Sequence, residues 1–381
     1  MHHPNAGRWR ARCRSIAMLD FLDSRAGETG RPADSGPRFS AAGSGHRNAL
    51  EIPATAIMQI GASSCPLCHG ARVRAFNAVA HDMPAGAPLL SVHECTACGL
   101  AWQFPRMRTD AESIAAQSHS YQEGTKDTYY DPERRRTIVA MEMGFLETFF
   151  DAPGSLLDVG AGDGTFIACA AARGWHCVGI DPAARPRSDF DSPANGGKCA
   201  LICGTLQDLD QDARFDVLTL WDVIEHVDDP HGVLEAAIPL LKPTGVLIIE
   251  TGNFQSVERV TGGPDWWCYA ADHRWYFSPP TVRALADRCG MKHTAFSTRV
   301  LRPWWRGSNA FASPSYLQVL KKVIRAPHMA ARAYDDFRTL RANASAWSDW
   351  GGLGIVAIAA SRVPLEAKNT RCALLPLTRP T

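Results

Sequence analysis

A short apolar run that ends in three closely spaced glycines constrains the fold of this chain more than any other feature. Residues 156–167 read LLDVGAGDGTFI, which places glycines at 160, 162 and 164 between a strand-like and a helix-like run. Glycine at such a turn lets the backbone approach a ligand closely, and the helix N-terminus that follows favours negatively charged groups. The dinucleotide fingerprint G-x-G-x-x-G needs its third glycine one residue later. The turn therefore predicts a ligand site and weighs against NAD.

The apolar runs after this turn alternate between helix-like and strand-like patterns. In order they read GTFIACAAARG, HCVGID, CALICG, FDVLTLW, HGVLEAAIPLL and GVLIIET. Such alternation predicts an α/β fold, with a parallel sheet covered by helices on both faces. A helix at SPPTVRALADRCG and two late strands at HTAFSTRVL and GLGIVAIAAS complete the expected core.

Composition and charge exclude several classes of protein. The chain has 40 Lys+Arg and 39 Asp+Glu, a formal net charge of +1, which argues against coating nucleic acid or membrane by bulk charge. No apolar run approaches the ~20 residues needed to cross a bilayer, and the arginine-rich N-terminus has no secretory apolar region. We therefore expect a cytoplasmic chain with neither membrane insertion nor a nucleic-acid partner. Its oligomeric state stays open.

Four of the twelve cysteines form two tight pairs, Cys65-x2-Cys68 and Cys95-x2-Cys98. In a reducing compartment such pairs indicate a metal site rather than a disulfide. Four thiolates with no open coordination position predict a structural Zn²⁺ ion in a tetrahedral site. An iron centre and chance spacing are the alternatives. The histidines that flank the pairs are interpreted as bystanders.

Five motifs in order resemble the class I S-adenosylmethionine-dependent methyltransferases. They read LLDVGAGDGTFI, GIDP, FDVLTLWDVIEHVDDP, LLKPTGVLIIET and HRWYFSPPTVRALADRCG, and they span about residues 130–300. The subgroup most similar in wording has "EH" after the fourth strand and includes ubiquinone-type O-methyltransferases and methyltransferases of sugars and secondary metabolites. The resemblance implies a Rossmann-like seven-stranded class I methyltransferase domain, with a small N-terminal zinc ribbon and a late helical insertion.

The resemblance and the changes in composition together divide the chain into segments. We expect a disordered tail at 1–57, a zinc-ribbon-like module at 58–105, a linker at 106–130, the methyltransferase domain at 131–365 with a helical insertion at 314–345, and a tail at 366–381. Translation that starts at Met18 or Met58 is an alternative to a floppy N-terminal tail.

The resemblance also implies an S-adenosyl-L-methionine site. Asp158 is expected near the methionine amino group, Asp181 on the ribose hydroxyls and Asp208 on the adenine amino group. The full set of expected cofactor-binding residues is Asp158, Gly160, Ala161, Gly162, Gly164, Asp181, Pro182, Thr205, Leu206, Asp208 and Trp221.

Removal of a proton from a hydroxyl acceptor needs a base or a metal ion. Glu225, His226 and His273 are the candidate catalytic residues, with one of the histidines as general base. Asp222, Glu225 and His226 stand at i, i+3 and i+4, so one helical turn would place them on a common face. Together with His273 they form a candidate divalent-ion site, the second interpretation. The aromatic segment 264–277 is either a lid over the substrate or a packed loop.

The predicted function is methyl transfer to a small-molecule or sugar-like acceptor. O-methylation is the first choice, with C- or N-methylation behind it. A catalytically inactive cofactor-binding scaffold is the alternative from another class. An RNA or protein methyltransferase guided by the zinc module is a third interpretation.

Overall fold

The structure is a computed structural model, and it describes residues 63–81, 83, 86–105, 132–185, 190, 199–299, 324, 354–366 and 375–376. The predicted tail at 1–57 and the linker at 106–130 lie outside the described residues. So does the predicted insertion at 314–345, apart from residue 324. Those three segments stay predictions.

Within the described residues, twelve strands form two sheets. The strands are β1 (Val73–Ala78), β2 (Leu90–Cys95), β3 (Ala101–Gln103), β4 (Ser155–Val159), β5 (His176–Asp181), β6 (Cys199–Cys203), β7 (Phe215–Trp221), β8 (Leu241–Gly252), β9 (Trp275–Tyr276), β10 (His293–Arg299), β11 (Ile355–Ser361) and β12 (Leu375–Pro376). The larger sheet has the order β12-β10-β11-β8-β7-β4-β5-β6.

The larger sheet confirms the predicted α/β architecture. Strands β6, β5, β4, β7 and β8 are parallel, whereas β11 runs antiparallel between β8 and β10. All seven residues of β11 are buried, as expected for a strand covered on both faces. Seven strands match the prediction, and the two-residue β12 adds an eighth at the edge. The segment 366–381, predicted as a tail, therefore includes this short strand.

Five helices flank the sheet within the described residues: α1 (Pro132–Leu146), α2 (Thr165–Ala172), α3 (Pro230–Ala237), α4 (Val257–Gly262) and α5 (Pro279–Arg288). Proline stands at the first position of three of them, where its missing N–H costs nothing. Ile138, Met141 and Phe145 recur at helical spacing along α1 and are buried. None of the described helices is long and apolar enough to span a membrane.

The smaller sheet joins the cysteine module to the rest of the chain. Its order is β1-β2-β3-β9, and β9 belongs to the aromatic segment 264–277. Ala101 pairs with Tyr276 and Trp102 with Trp275. The ribbon predicted at 58–105 therefore shares a sheet with the methyltransferase domain. The aromatic segment is packed there, with Tyr276 and Trp275 buried, as the packed-loop alternative expects.

Residues 222–229 form a turn rather than the helical turn predicted from the i, i+3, i+4 spacing. Asp222 has a φ of 52°, in the left-handed region that helices do not use. Helix α3 begins only at Pro230, where the Asp229 carboxylate accepts a hydrogen bond from the His231 N–H. The predicted common helical face is therefore wrong.

Candidate active site

The glycine turn lies at the carboxyl end of β4 and takes the conformation that its sequence predicts. Gly160, Gly162 and Gly164 have φ angles of 76°, 53° and 75°. A Cβ at Gly160 would lie 2.4 Å from Cγ2 of Val223, and one at Gly164 would lie 2.7 Å from Cζ of Phe190. A Cβ at Gly162 would meet nothing within 4 Å. Gly162 thus borders open space, while Val223 brings the turn after β7 onto the glycine turn.

Asp181 ends β5 directly beside this turn. One carboxylate oxygen accepts a hydrogen bond from the Gly162 N–H at 3.0 Å, and the other accepts one from the Ala183 N–H at 2.7 Å. Each oxygen keeps a further lone pair for a ligand hydroxyl. Ala161 is buried within the turn, and Pro182 is exposed after the strand. These positions are compatible with the ribose-binding role expected of Asp181.

Asp158 is buried beneath the turn. Its carboxylate accepts a hydrogen bond of 2.6 Å from the Thr219 hydroxyl. Burial raises the pKa of Asp158 to about 8. A cationic group placed beside it would favour the ionised form again and lower that pKa. The site therefore suits the positive amino group expected there.

Asp208, the residue expected to contact adenine, also has a structural role in the turn after β6. The Thr205 N–H and hydroxyl donate to Oδ2 of Asp208 at 2.9 and 3.2 Å, which caps the short helix that includes Leu206. The adenine contact of Asp208 stays a prediction. Trp221 ends β7 with its ring centroid 5.2 Å from that of Phe166, and its buried Nε1 has no hydrogen-bond partner among the described residues.

The four cysteines meet at the loops of the ribbon. The Sγ atoms of Cys65 and Cys98 lie 3.5 Å apart, and those of Cys68 and Cys95 lie 3.6 Å apart. All four sulfurs lie within 4.8 Å of one another. Zn–S bonds of about 2.3 Å in a tetrahedron would separate the sulfurs by about 3.8 Å, so this donor set fits Zn²⁺.

One thiol of the group, that of Cys65, ionises readily. A hydrogen bond between Cys65 and Cys98 lowers the pKa of the Cys65 thiol to about 5 and raises that of Cys98. A thiolate is the form that binds metal. The flanking histidines lie outside the cysteine group, as interpreted from the sequence.

Glu225, His226 and His273 converge beside the glycine turn. One ligand atom of each lies within 4.8 Å of the others. The two imidazole rings meet edge to face with centroids 4.7 Å apart. Asp222 is not part of this group, so three of the four residues predicted for a divalent ion come together. Oε2 of Glu225 is buried and has no hydrogen-bond partner among the described residues.

The two histidines have opposite protonation preferences. Burial would lower the pKa of His226, but Asp272, Glu225 and Asp222 raise it to about 9. Burial and the charge of His226 lower the pKa of His273 to about 4. Near neutral pH, His226 is therefore a cation and His273 is neutral.

Asp272 is a site residue that the sequence analysis missed. Its Oδ2 lies 3.3 Å from Nδ1 of His226, and its side chain is 7% exposed. Burial also raises the pKa of Glu225 to about 7. The one sequence signal for its role is that Asp272 is an acidic residue directly before His273. Its partner is 46 positions away along the chain, so local spacing could not reveal the contact.

Comparisons with known proteins identify the family of the chain. A family model described as a methyltransferase domain matches residues 133–295. The ubiquinone biosynthesis O-methyltransferase of Cereibacter sphaeroides is 30% identical over 175 residues, which cover 42% of this chain and 71% of the relative. That of Rhodopseudomonas palustris strain BisB5 is 28% identical over 157 residues, which cover 39% of this chain and 62% of the relative. The match thus spans less than two thirds of the latter protein.

A solved structure is also similar. The Burkholderia thailandensis 1,6-didemethyltoxoflavin-N1-methyltransferase, with bound 1,6-didemethyltoxoflavin and S-adenosylhomocysteine, is 17% identical, with 68% of this chain and 94% of that chain covered and a TM-score of 0.40. The strand order and the glycine turn define a Rossmann-like methyltransferase fold. With the sequence relatives, they show that the chain belongs to the class I S-adenosylmethionine-dependent methyltransferase family.

Proposed function

We propose that the protein transfers a methyl group from S-adenosylmethionine to a hydroxyl group of a small-molecule acceptor. The carrying observation is the His226–His273 pair, with ring centroids 4.7 Å apart. The turn that bears His226 packs on the glycine turn through Val223 and Gly160. Acid–base groups therefore lie next to the expected cofactor site.

The residues of the proposed cofactor site fit that ligand. Open space at Gly162, the carboxylate of Asp181 and the buried Asp158 suit the methionine and ribose parts of the molecule. S-adenosylmethionine, when bound, supplies an electrophilic methyl group on a sulfonium. The protein then has to hold the acceptor oxygen in line with that group.

The paired histidines divide the proton chemistry between them. Neutral His273 accepts the proton of the acceptor hydroxyl, and cationic His226 stabilises the oxygen as negative charge develops on it. The Asp272 carboxylate keeps His226 charged and oriented. Glu225 adds a buried negative charge that also favours the cation.

A hydroxyl acceptor is favoured over carbon or nitrogen because deprotonation before attack is what this pair provides. The relatives named as O-methyltransferases support the same choice. We propose a small aromatic or sugar-like molecule as acceptor, and the cysteine group as a structural zinc site.

Two measurements test the proposal. Calorimetry with S-adenosylhomocysteine is expected to show one binding site per chain. Incubation with S-[methyl-³H]adenosylmethionine and a panel of catechols, phenols and sugar hydroxyls is expected to label at least one of them. Cofactor binding without transfer to any hydroxyl, amine or carbon acceptor would favour the inactive scaffold. Labelling of RNA or protein in place of the small molecules would favour the third interpretation.

A further inference from the structure

Strand β9 lies between the cysteine ribbon and the turn that bears the catalytic candidates. On one side it pairs with β3 of the ribbon. On the other, the N–H groups of Arg274 and Trp275 donate to the carbonyl oxygen of Glu225 at 2.8 and 3.2 Å. The indole N–H of Trp275 also donates to the carbonyl oxygen of Val227 at 2.8 Å. Strand β9 therefore connects the ribbon with the active-site turn.

Gln103, the last residue of β3, donates hydrogen bonds to two carbonyl groups in the segment directly before β9. Its backbone N–H donates to the carbonyl oxygen of Arg274 at 2.9 Å. Its side-chain amide donates to the carbonyl oxygen of Ala271 at 3.3 Å. Between these two carbonyl groups stand Asp272 and His273. The Gln103 side chain is 1% exposed, so water does not compete for these bonds.

We infer that Gln103 is a positioning residue for the active site. By fixing the carbonyl groups of Ala271 and Arg274, it holds Asp272 against His226 and places His273 beside the same ring. The zinc ribbon thereby sets the geometry of the acceptor side, while the glycine turn sets that of the cofactor side. The inference rests on the proposed function only for the statement that the histidine pair is catalytic.

The geometry favours positioning over simple support of the fold. The side-chain amide of Gln103 donates a hydrogen bond to the residue directly before Asp272. A glutamine that served the ribbon alone would need no bond to a segment more than 160 residues away. The main-chain pairing of β3 with β9 persists in any Gln103 variant, because it uses backbone atoms.

The test compares Gln103→Met and Gln103→Leu with wild-type protein. Both variants carry an apolar side chain of similar size and lose the amide donor without adding a charge. Asn77→Met is the control, because Asn77 is exposed on β1 of the same sheet. Two NMR readouts are used on the full chain: the hydrogen exchange of the Trp275 indole N–H, and the pH titration of the His226 ring.

In the Gln103 variants we expect the Trp275 indole to exchange roughly 2- to 10-fold faster, the factor for one lost hydrogen bond. We also expect the pKa of His226 to fall towards its ordinary value. Zinc content and affinity for S-adenosylhomocysteine should match wild type. Wild-type exchange and titration in a folded Gln103 variant would overturn the inference.

The remaining outcomes also decide it. Equal changes in Asn77→Met would overturn the inference, because they would indicate general loosening of the ribbon. If Gln103→Met does not fold, Gln103→Leu carries the test, and loss of folding in both would overturn the inference, because Gln103 would then support the fold. Failure of wild-type protein to bind S-adenosylhomocysteine would overturn the proposed function, while the two NMR readouts would still judge Gln103.

Discussion

Nδ1 of His226 and Oδ2 of Asp272 lie 3.3 Å apart, although the two residues are 46 positions apart in the sequence. The Asp272 side chain is almost fully buried, so its charge is poorly screened. Together with the charges of Glu225 and Asp222, this contact outweighs the burial that would otherwise lower the pKa of His226. It makes one of two touching imidazoles a cation and leaves the other neutral.

Replacement of Asp272 with asparagine should lower the pKa of His226 from about 9 towards its ordinary value. Glu225 and Asp222 remain in the variant and still favour the cation, so some of the elevation persists. The His226 ring titration followed by NMR measures the shift, with wild-type protein as the reference. An unchanged His226 titration in Asp272→Asn would mean that the contact does not set the pKa.

The same shift has a signature in stability. Because the pKa of His226 is raised on folding, its contribution is complete below the unfolded value of roughly 6.5 and disappears as pH rises through about 9. Wild-type protein should therefore lose more stability between pH 6.5 and 9 than Asp272→Asn does. Urea unfolding at a series of pH values compares the two slopes.

The glycine turn gives a prediction about cofactor affinity. Gly162 has a φ of 53° and no atom within 4 Å of a Cβ, so valine there would occupy the proposed cofactor space. Asp181→Ala should weaken S-adenosylhomocysteine binding by about 10- to 100-fold, through loss of hydrogen bonds worth roughly 1.5–3 kcal/mol. Gly162→Val should weaken it further. Calorimetry measures both affinities.

A matched variant controls for backbone strain at Gly162. Gly86 has a φ of 88° and likewise no atom within 4 Å of a Cβ, but it lies in the ribbon. Gly86→Val should therefore destabilise the protein without lowering affinity for S-adenosylhomocysteine. Wild-type affinity in both Gly162→Val and Asp181→Ala would remove this turn from cofactor binding.

Local sequence signals predict the central sheet well. Strand β5 covers the run HCVGID from its first residue to its last. Gly174 before this apolar run and Pro182 after it mark the two ends of the strand. The helical turn at 222–226 fails because the Asp222 N–H donates to the carbonyl oxygen of Glu250 and continues the sheet pairing. The Asp229-Pro230 step was the signal that α3 starts later.

The sequence predicts only part of the candidate site, because some of its contacts join segments that lie far apart along the chain. Glu225 and His226 follow a strand, and their position at its carboxyl end is readable from the chain. The pairing of β3 with β9 joins segments about 170 residues apart, and no local pattern encodes it. Dense aromatic residues indicate burial, but they do not tell which surface covers them. Asp272 and Gln103 become site residues only through that pairing.

The cysteine group predicts metal content. Freshly purified protein should carry about one zinc ion per chain, measured by elemental analysis. Cys65→Ser combined with Cys98→Ser should lose it, because two of the four ligands are removed. Since β9 belongs to the ribbon sheet, loss of zinc should also disturb the His226–His273 pair while leaving the glycine turn able to bind S-adenosylhomocysteine. Metal-free wild-type protein would contradict the zinc site.

A buried ion pair near the carboxyl ends of the strands predicts a large effect on stability. Glu250 of β8 and Arg299 of β10 form an ion pair in which both side chains are 0% exposed. Glu250→Ala leaves the Arg299 charge without this partner and should cost about 3–5 kcal/mol. The exposed pair of Arg74 with Glu94 is the control, and Arg74→Met should cost at most about 1 kcal/mol. Urea unfolding measures both, and equal costs would contradict the argument.

The two interpretations of the histidine pair predict different responses to a chelator. If His273 is the base, methyl transfer continues after EDTA treatment as long as elemental analysis shows that the cysteine site stays loaded. His273→Ala then loses about 10²- to 10⁴-fold in kcat, the range for a general base. In wild-type protein the rate falls as pH rises through about 9, where His226 loses its charge, and His226→Gln lacks this decline.

If a divalent ion acts instead, EDTA abolishes transfer and Mg²⁺ or Mn²⁺ restores it. Glu225, His226 and His273 supply one carboxylate and two imidazoles, enough ligands for such an ion. Wild-type activity in both histidine variants would remove the pair from the chemistry, and the acceptor would then need another route for its proton.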